Sequence, residues 1–395
     1  MLFQTLDAKK ECVAYYLNGE FHYDEPNQEL TKTWDYTPSL GNHKPELARI
    51  YCGGKTLTEV CPLQYKTMWE KIKEKLHAFR KSFASSKLNL DEVCLYELLP
   101  EPFLFELYDL KNEITKHVFE TYSRPQNYDH IASVVELLGD IKQHPVKVNL
   151  NPIRHKLGST RGRNFMDRVS RVKKVCGYNP WGTITGRLAG TPGTFPILTL
   201  DKEFRGCLSP QNDWYIELDY NAAEVRTLLA LSGETQPQED IHAWNVQNIY
   251  DSKTTRDEAK TKIFAWLYSK RSNQRAEKYY NKSQVLEKYW DGHNVTTDFK
   301  REIKDVDNHH ALNYIIQSTT VDMVHEQAYK IYNILKGKKS HIAFLIHDAV
   351  YIDLAEEDRY ELLKVLDIFK KTRYGIYKVN VSAGKTLGAM KELRL

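Results

Sequence analysis

The chain has 395 residues, 41% hydrophobic and 27% charged, with a net charge of +4. That is a globular composition with room for two or three ordinary domains. No run of eighteen uncharged apolar residues occurs, and the N-terminus lacks a basic start before a long apolar core, so neither a membrane span nor a signal peptide is expected. Six cysteines (Cys12, Cys52, Cys61, Cys94, Cys176, Cys207) show no C-x-x-C spacing, which argues against a zinc site and for reduced thiols in an intracellular compartment.

In chain order, CVAYYL, Asn18-Gly19 and EFHY predict a hairpin with a type I′ turn inside a β-rich stretch over 1–62. Residues 63–150 turn helical. Met68, Trp69, Ile72, Leu76, Phe79 and Phe83 recur at helical spacing, and further helices are expected over Pro102–Tyr122 and Asp129–His144. Ser123-Arg124-Pro125 should break that pair, because proline cannot continue a helix and disfavours helix before it. Residues 146–220 read as short β runs (VKVNL, TITG, WYIELDY), and 221–308 as helical and charged. One amphipathic helix is predicted over 311–335, then a hairpin around His347-Asp348, a helix over 356–372 and a last strand, YKVNVSA. A sheet interrupted by a helical insertion predicts an α+β fold rather than a βαβ series.

Asp219, in IELDYNAAEVR, and Asp348, in FLIHDAVYIDL, each end an apolar run 129 positions apart. Two carboxylates that could meet at one point suggest a two-metal phosphoryl-transfer site, with Mg²⁺ as the hard cation. Between them Arg256, Lys260, Phe264 and Tyr268 are spaced by four, which makes one spiralling stripe on a helix. Arginine by its fork and lysine as a point charge suit a triphosphate, and the aromatics a nucleobase. Arg154–Lys174 holds eight Lys/Arg, Arg161 and Arg163 among them, against one acid, Asp167. A second basic tract, Lys270–Lys304, interleaves with tyrosine and tryptophan. Each tract fits either a nucleic-acid surface or a solvated basic face.

These residues carry a family resemblance. IELDYNAAEVRTLLALSGE resembles motif A of the family A, DNA polymerase I-like, DNA polymerases, and EDIHAW their D-I-H. TRDEAKTKIFAWLY matches the anchors of the family's fingers helix, NYIIQSTTVDMV resembles N-x-P-I-Q-G-T-A-A-D, IHDAV resembles motif C, and GTITGRL carries T-G-R-L. SAGKTLGAMKEL resembles the C-terminal strand and tail. Seven motifs run in family order over 182–395.

The resemblance implies a right-hand polymerase: an antiparallel palm over 151–230 and 309–395, helical fingers over 231–308 and a helical thumb over 63–150. It implies that Asp219, Asp348 and the Tyr220 carbonyl hold two Mg²⁺ ions, with Mn²⁺ able to substitute. Arg256, Lys260 and His242 would meet the dNTP phosphates, with Lys260 also the acid for pyrophosphate. Glu224 would exclude a ribose 2′-hydroxyl. Phe264 takes the position that disfavours dideoxynucleotides, and Tyr268 that of the residue closing over the nascent pair. Arg187, Asn313, Gln317 and His347 would contact primer–template DNA, as Arg161 and Arg163 would from the basic tract.

The chain also departs from the pattern. Ala349 stands where a second motif C glutamate is usual, His309 where an arginine is common, Ala265 and Ser269 where glycines are, and GTFPILTL replaces P-N-L-Q-N-I-P. The segment between Arg256 and Gln317 is short for the family, which implies reduced fingers. Neither Asp7 nor Asp35 lies in an exonuclease pattern, so residues 1–62 are expected to be an exonuclease remnant or a docking module. The expectation is a compact, proofreading-free polymerase of phage or mobile-element type, working in the host cytoplasm if phage-encoded. Any exonuclease, helicase or processivity factor would be on a separate chain. A single-subunit RNA polymerase and a catalytically silent DNA-binding relative remain the alternatives.

Overall fold

The computed structural model describes residues 1–395 apart from 9–10, 42, 89–95, 252, 269–272 and 394–395. Ser269, Cys94 and the opening of the second basic tract therefore lie outside the described residues. The chain forms two compact units, Met1–Gln143 and His144–Leu395. Among the described residues no helix is long and apolar enough to cross a membrane, and the five described cysteines are free thiols.

In the first unit β1 (Gln4–Ala8), β2 (Glu11–Leu17) and β3 (Glu20–His22) make an antiparallel sheet in that order. Leu17 pairs with Glu20 across a two-residue loop in which Asn18 and Gly19 have φ of 52° and 82°. That is the type I′ geometry the Asn-Gly pair predicts. Three helices follow: α1 (Leu63–Ser85), α2 (Glu101–Thr121) and α3 (Tyr128–Gln143). The α2–α3 break falls at 122–127, where the proline stands. Leu6, Tyr16 and Trp34 share one buried cluster with Trp69, Phe103 and Tyr108. The strands over 1–62 and the helices after them are thus built on a common core. Asp7 accepts hydroxyl bonds from Thr5 and Ser39, and Asp35 pairs with Arg49 at 2.7 Å.

The second unit opens with a short strand in the expected VKVNL run, Lys147–Val148, paired with Leu208–Ser209, but a helix, α4 (Thr160–Ser170), follows where only short β runs were expected. Ser159 caps it by accepting from the Gly162 amide, and Phe165 and Val169 face inward while the arginines face water. TITG (183–186) is likewise a turn, not a strand. Gly186 takes φ 82° there, and a Cβ on it would come 2.4 Å from the Arg301 guanidinium. Arg301 is itself paired with the fully buried Asp322.

The central sheet is antiparallel, in the order β5–β6–β4–β7–β8, formed by β4 (Trp214–Tyr220), β5 (His341–Ile346), β6 (Ala349–Leu354), β7 (Val379–Gly384) and β8 (Lys391–Glu392). Between β4 and β5 run α5 (Ala223–Leu231), α6 (Ile241–Asn248), α7 (Arg256–Leu267), α8 (Gln274–Tyr280), α9 (Lys282–Tyr289) and α10 (Asn308–Leu335). The α10 helix is not amphipathic as predicted. Seventeen of its 28 residues are buried, Ser318, Thr320, Asp322 and Gln327 among them. It runs through the core, and its polar groups bond inside it: Thr320 to Thr227 at 2.9 Å, Gln327 to the Lys371 carbonyl at 2.8 Å. The segment predicted helical over 356–372 is one 3₁₀ turn (Glu356–Glu361) and then α11 (Leu362–Lys370).

Candidate functional site

Strand register joins the two aspartates. Asp219 lies directly opposite Ala349, the residue after Asp348, and the β5–β6 hairpin turns through His347-Asp348. Two non-glycine residues beside them, Ala222 and His347, both have φ of 53°, a sparsely populated conformation that tends to collect at working sites.

Side chains alternate along β4, so Asp219 and Glu217 share a face. On that face the row Ala349–Asp219–Asn380 runs across three strands, and the row Tyr351–Glu217–Ser382 lies beside it. Asn380 stands beside Asp219 across the strand pair, and the Tyr351 hydroxyl donates to Glu217. Burial, then the Glu217 and Asp348 charges, push the Asp219 carboxyl up to about 6. Burial and the Glu224 charge, opposed by Arg187, push Asp348 up to about 6 as well. Oδ1 of Asp348 is buried with no hydrogen-bond partner. Among the described residues none of Glu217, Asp219 and Asp348 has a basic side chain within ion-pair distance. Hard oxygen donors without an ion-pair partner suit a divalent cation, although the ligand atoms of these three carboxylates do not all lie within 4.8 Å of one another. Tyr220 turns its ring inward, stacked on Phe369 at 4.1 Å with its hydroxyl on the Phe369 carbonyl, so only its backbone is left for the site.

The α7 helix starts with a capping box: Thr255 accepts from the Glu258 amide and Glu258 reaches back to the Thr255 amide. Its exposed face carries Arg256 and Lys260. Lys260 lies close enough to Asp219 to favour its ionised form. Phe264 and Tyr268 stack with ring centroids 6.3 Å apart. Tyr268 ends the helix and donates to Glu224, which also accepts from Arg187. Glu224 is 11% exposed and Arg187 39%, so the carboxylate of this Arg187–Glu224–Tyr268 clamp is largely desolvated while the guanidinium still meets water.

Arg256 is anchored by Asp240, Nε to Oδ1 at 3.1 Å and Nη2 to Oδ2 at 2.7 Å. Asp240 also caps α6 through the His242 and Ala243 amides and accepts from Asn221 at 2.8 Å. Burial opposes its ionisation, but Arg256, the Ala243 amide and Asn221 outweigh that and hold its carboxyl well below the usual range. The fully buried Arg226 fixes the other side of Asn221. His242 is buried with Nδ1 unpartnered. Burial, and then the Arg256, Lys260 and Arg226 charges, push it down to about 4, so it is neutral at pH 7.

Asn313 and Gln317 share one face of α10 and are half-buried, and Asn313 Oδ1 has no partner. Asn313, Tyr268, His309 and Lys282 line a cleft of about 230 Å³. His347 is exposed at the hairpin tip. Arg161 and Arg163 stand apart on exposed α4. Arg161 lies 3.7 Å from Glu203, and Arg163 bonds the Gly158 carbonyl at 2.6 Å. Glu217, Asn380 and Asp240 are the site residues that sequence reasoning passed over. The i, i+2 relation of Glu217 to Asp219 was the available signal for the first; Asp240 is the aspartate of the D-I-H run, of which only the histidine was singled out, and Asn380 meets the site only through strand pairing.

This sheet, with its helical insertion and carboxylate-bearing hairpin, has a DNA polymerase-like fold. The structure is similar to the POL domain of Pol1 from M. smegmatis, solved in complex with a DNA primer-template and dNTP. The TM-score is 0.53 at 15% identity, over 73% of this chain and 76% of that one. No protein-family model matches the chain, and no curated protein matches it.

Proposed function

We propose that the chain is a template-directed DNA polymerase of the family A kind, adding dNTPs to a primer 3′ end with release of pyrophosphate. The observation that carries this reading is the meeting of Asp219 and Asp348 by strand register, with no ion pair to either among the described residues and Lys260 of the α7 stripe near enough to favour the charged form of Asp219. The fold and the primer-template and dNTP bound by the M. smegmatis POL domain support it. On this reading 151–230 and 309–395 are palm, 231–308 fingers and 63–150 thumb.

Asp219, Asp348 and the Tyr220 carbonyl would hold divalent ions. Such ions, when bound, lower the pKa of a primer hydroxyl and neutralise a leaving pyrophosphate. The protein's own groups do the rest. Arg256, oriented by Asp240, and Lys260 bind the triphosphate along one helix face, and Lys260 Nζ can deliver a proton to the departing pyrophosphate. His242, neutral before substrate arrives, can donate one hydrogen bond to a phosphate oxygen without bringing a second charge beside Arg256. Glu224, fixed from two sides by Arg187 and Tyr268, forms a rigid wall against a 2′-hydroxyl. The Phe264–Tyr268 stack offers a surface for the nascent pair, and Asn313, Gln317, Arg187 and His347 face primer–template DNA. Arg161 and Arg163 add phosphate contacts.

Primer extension by the purified chain with Mg²⁺ and dNTPs tests this directly. Extension with dNTPs and little with NTPs is expected. Extension with NTPs instead would favour an RNA polymerase, and no extension with intact DNA binding would favour a non-catalytic relative.

A further inference from the structure

An arginine beside the site, Arg205, has no partner for its charge among the described residues. We propose that Arg205 is a further nucleic-acid contact of the site, its guanidinium gripping a phosphodiester of the primer strand beside His347. The inference rests on the polymerase reading and adds one positioning residue to it.

Arg205 sits in a 3₁₀ turn (Lys202–Cys207) whose backbone is fixed on two sides. The Asn149 amide donates to the Cys207 carbonyl at 2.7 Å. Gly206 packs so closely on Gly388 that a Cβ on Gly388 would come 2.6 Å from the Gly206 nitrogen. From this fixed base the side chain reaches toward the β5–β6 hairpin. Its charge acts on His347, where burial, then Arg187 and Arg205, hold the imidazole below its usual value. It acts also on the Tyr351 hydroxyl, which burial pushes up and Arg205 pulls back. Tyr351 lies on the sheet face of Asp219 and Glu217, and His347 at the hairpin tip, so the guanidinium lies along that face. Arg205 is half-buried, and its Nε is buried without a hydrogen-bond partner. Among the described residues its side chain makes no ion pair and no hydrogen bond. Arg187 shares the buried, unpartnered Nε but gives Nη2 to Glu224. A half-buried guanidinium without an acceptor is costly until an anion meets it. A phosphodiester suits it, because the planar fork reaches two phosphate oxygens at once. The competing role is purely structural: Arg205 would balance Glu217 at a distance, through the Tyr351 hydroxyl that donates to it.

Binding of a primer–template duplex without Mg²⁺ or dNTP, followed by fluorescence anisotropy, separates the two roles. Arg205→Gln should weaken the duplex about tenfold and lower the slope of log affinity against log salt by about one. A neutral methylphosphonate at the last primer linkages should weaken binding by the unaltered chain and make no difference to Arg205→Gln. If Arg205→Gln binds the duplex like the unaltered chain, with the same slope and only a lower melting temperature, the structural role is right and the polymerase reading stands. If the neutral linkage distinguishes the two chains only when it is in the template strand, the primer assignment is wrong. If the unaltered chain does not bind the duplex at all, Arg205 and the polymerase reading fall together. Should Arg205→Gln fold poorly by circular dichroism, Arg205→Lys takes its place. It keeps the charge and loses the fork, so affinity should fall about threefold with the slope unchanged, and unaltered affinity there would count against the proposal.

Discussion

Asp348 sits in a two-residue hairpin loop with one oxygen buried and unpartnered. In Asp348→Asn the shape is nearly unchanged and the charge is gone. Primer extension should fall by about 10³-fold or more, while duplex affinity, measured by fluorescence anisotropy, stays within about twofold of the unaltered chain. Retained extension would remove Asp348 from the chemistry. The same carboxyls give a pH signature. Asp219 and Asp348 titrate near 6 in the fold against about 3.9 in an unfolded chain. Between those values the folded state holds more protons than the unfolded one, so without metal their contribution to stability falls as pH rises from about 4 to about 6. Added Mg²⁺ relieves the repulsion only once the groups are ionised. The rise in melting temperature on adding Mg²⁺ should therefore be larger at pH 7.5 than at pH 5, by scanning calorimetry. An equal rise at both would mean that the ion binds elsewhere.

Among the elements, the turn that carries Arg187 is held by a contact no local rule anticipates. Gly186, at φ 82°, lies against the Arg301 guanidinium, and Arg301 is bound to Asp322 inside α10. Gly186→Ala adds a Cβ 2.4 Å from that guanidinium and a left-handed penalty together. The expected cost is about 2–4 kcal/mol, read from urea unfolding. Because Arg187 is the next residue, extension should fall more than stability alone explains. A loss under about 0.5 kcal/mol would show that Arg301 yields freely. The α7 helix is the opposite case. Its capping box, Thr255 to Glu258, and its four-residue stripe are local properties, and the helix, Arg256–Leu267, falls within the segment read as helical. The α4 helix was missed because its inward residues, Phe165 and Val169, are few and set among arginines.

At the scale of the molecule, the basic residues on α4 should make primer–template affinity strongly salt-dependent. With about six phosphates contacted, affinity should drop about 10³-fold between 50 and 200 mM salt. A flat response would assign those arginines to ordinary solvated surface. The two carboxylates, the α7 stripe and the α+β character were readable from the sequence alone, because each depends on spacing within a short segment: period two in a strand, near four in a helix, Asn-Gly in a turn. The sequence also raised a doubt, since Ala349 left the centre with two carboxylates. Only the tertiary structure decided how that centre is surrounded. Glu217 joins Asp219 because the sheet face is shared, Asn380 because β7 pairs with β4, and Asp240 because a buried arginine, Arg226, locks the loop that brings it to Arg256. Those partners lie from 2 to 161 positions from Asp219, and their meeting depends on strand register and burial, which no local pattern encodes.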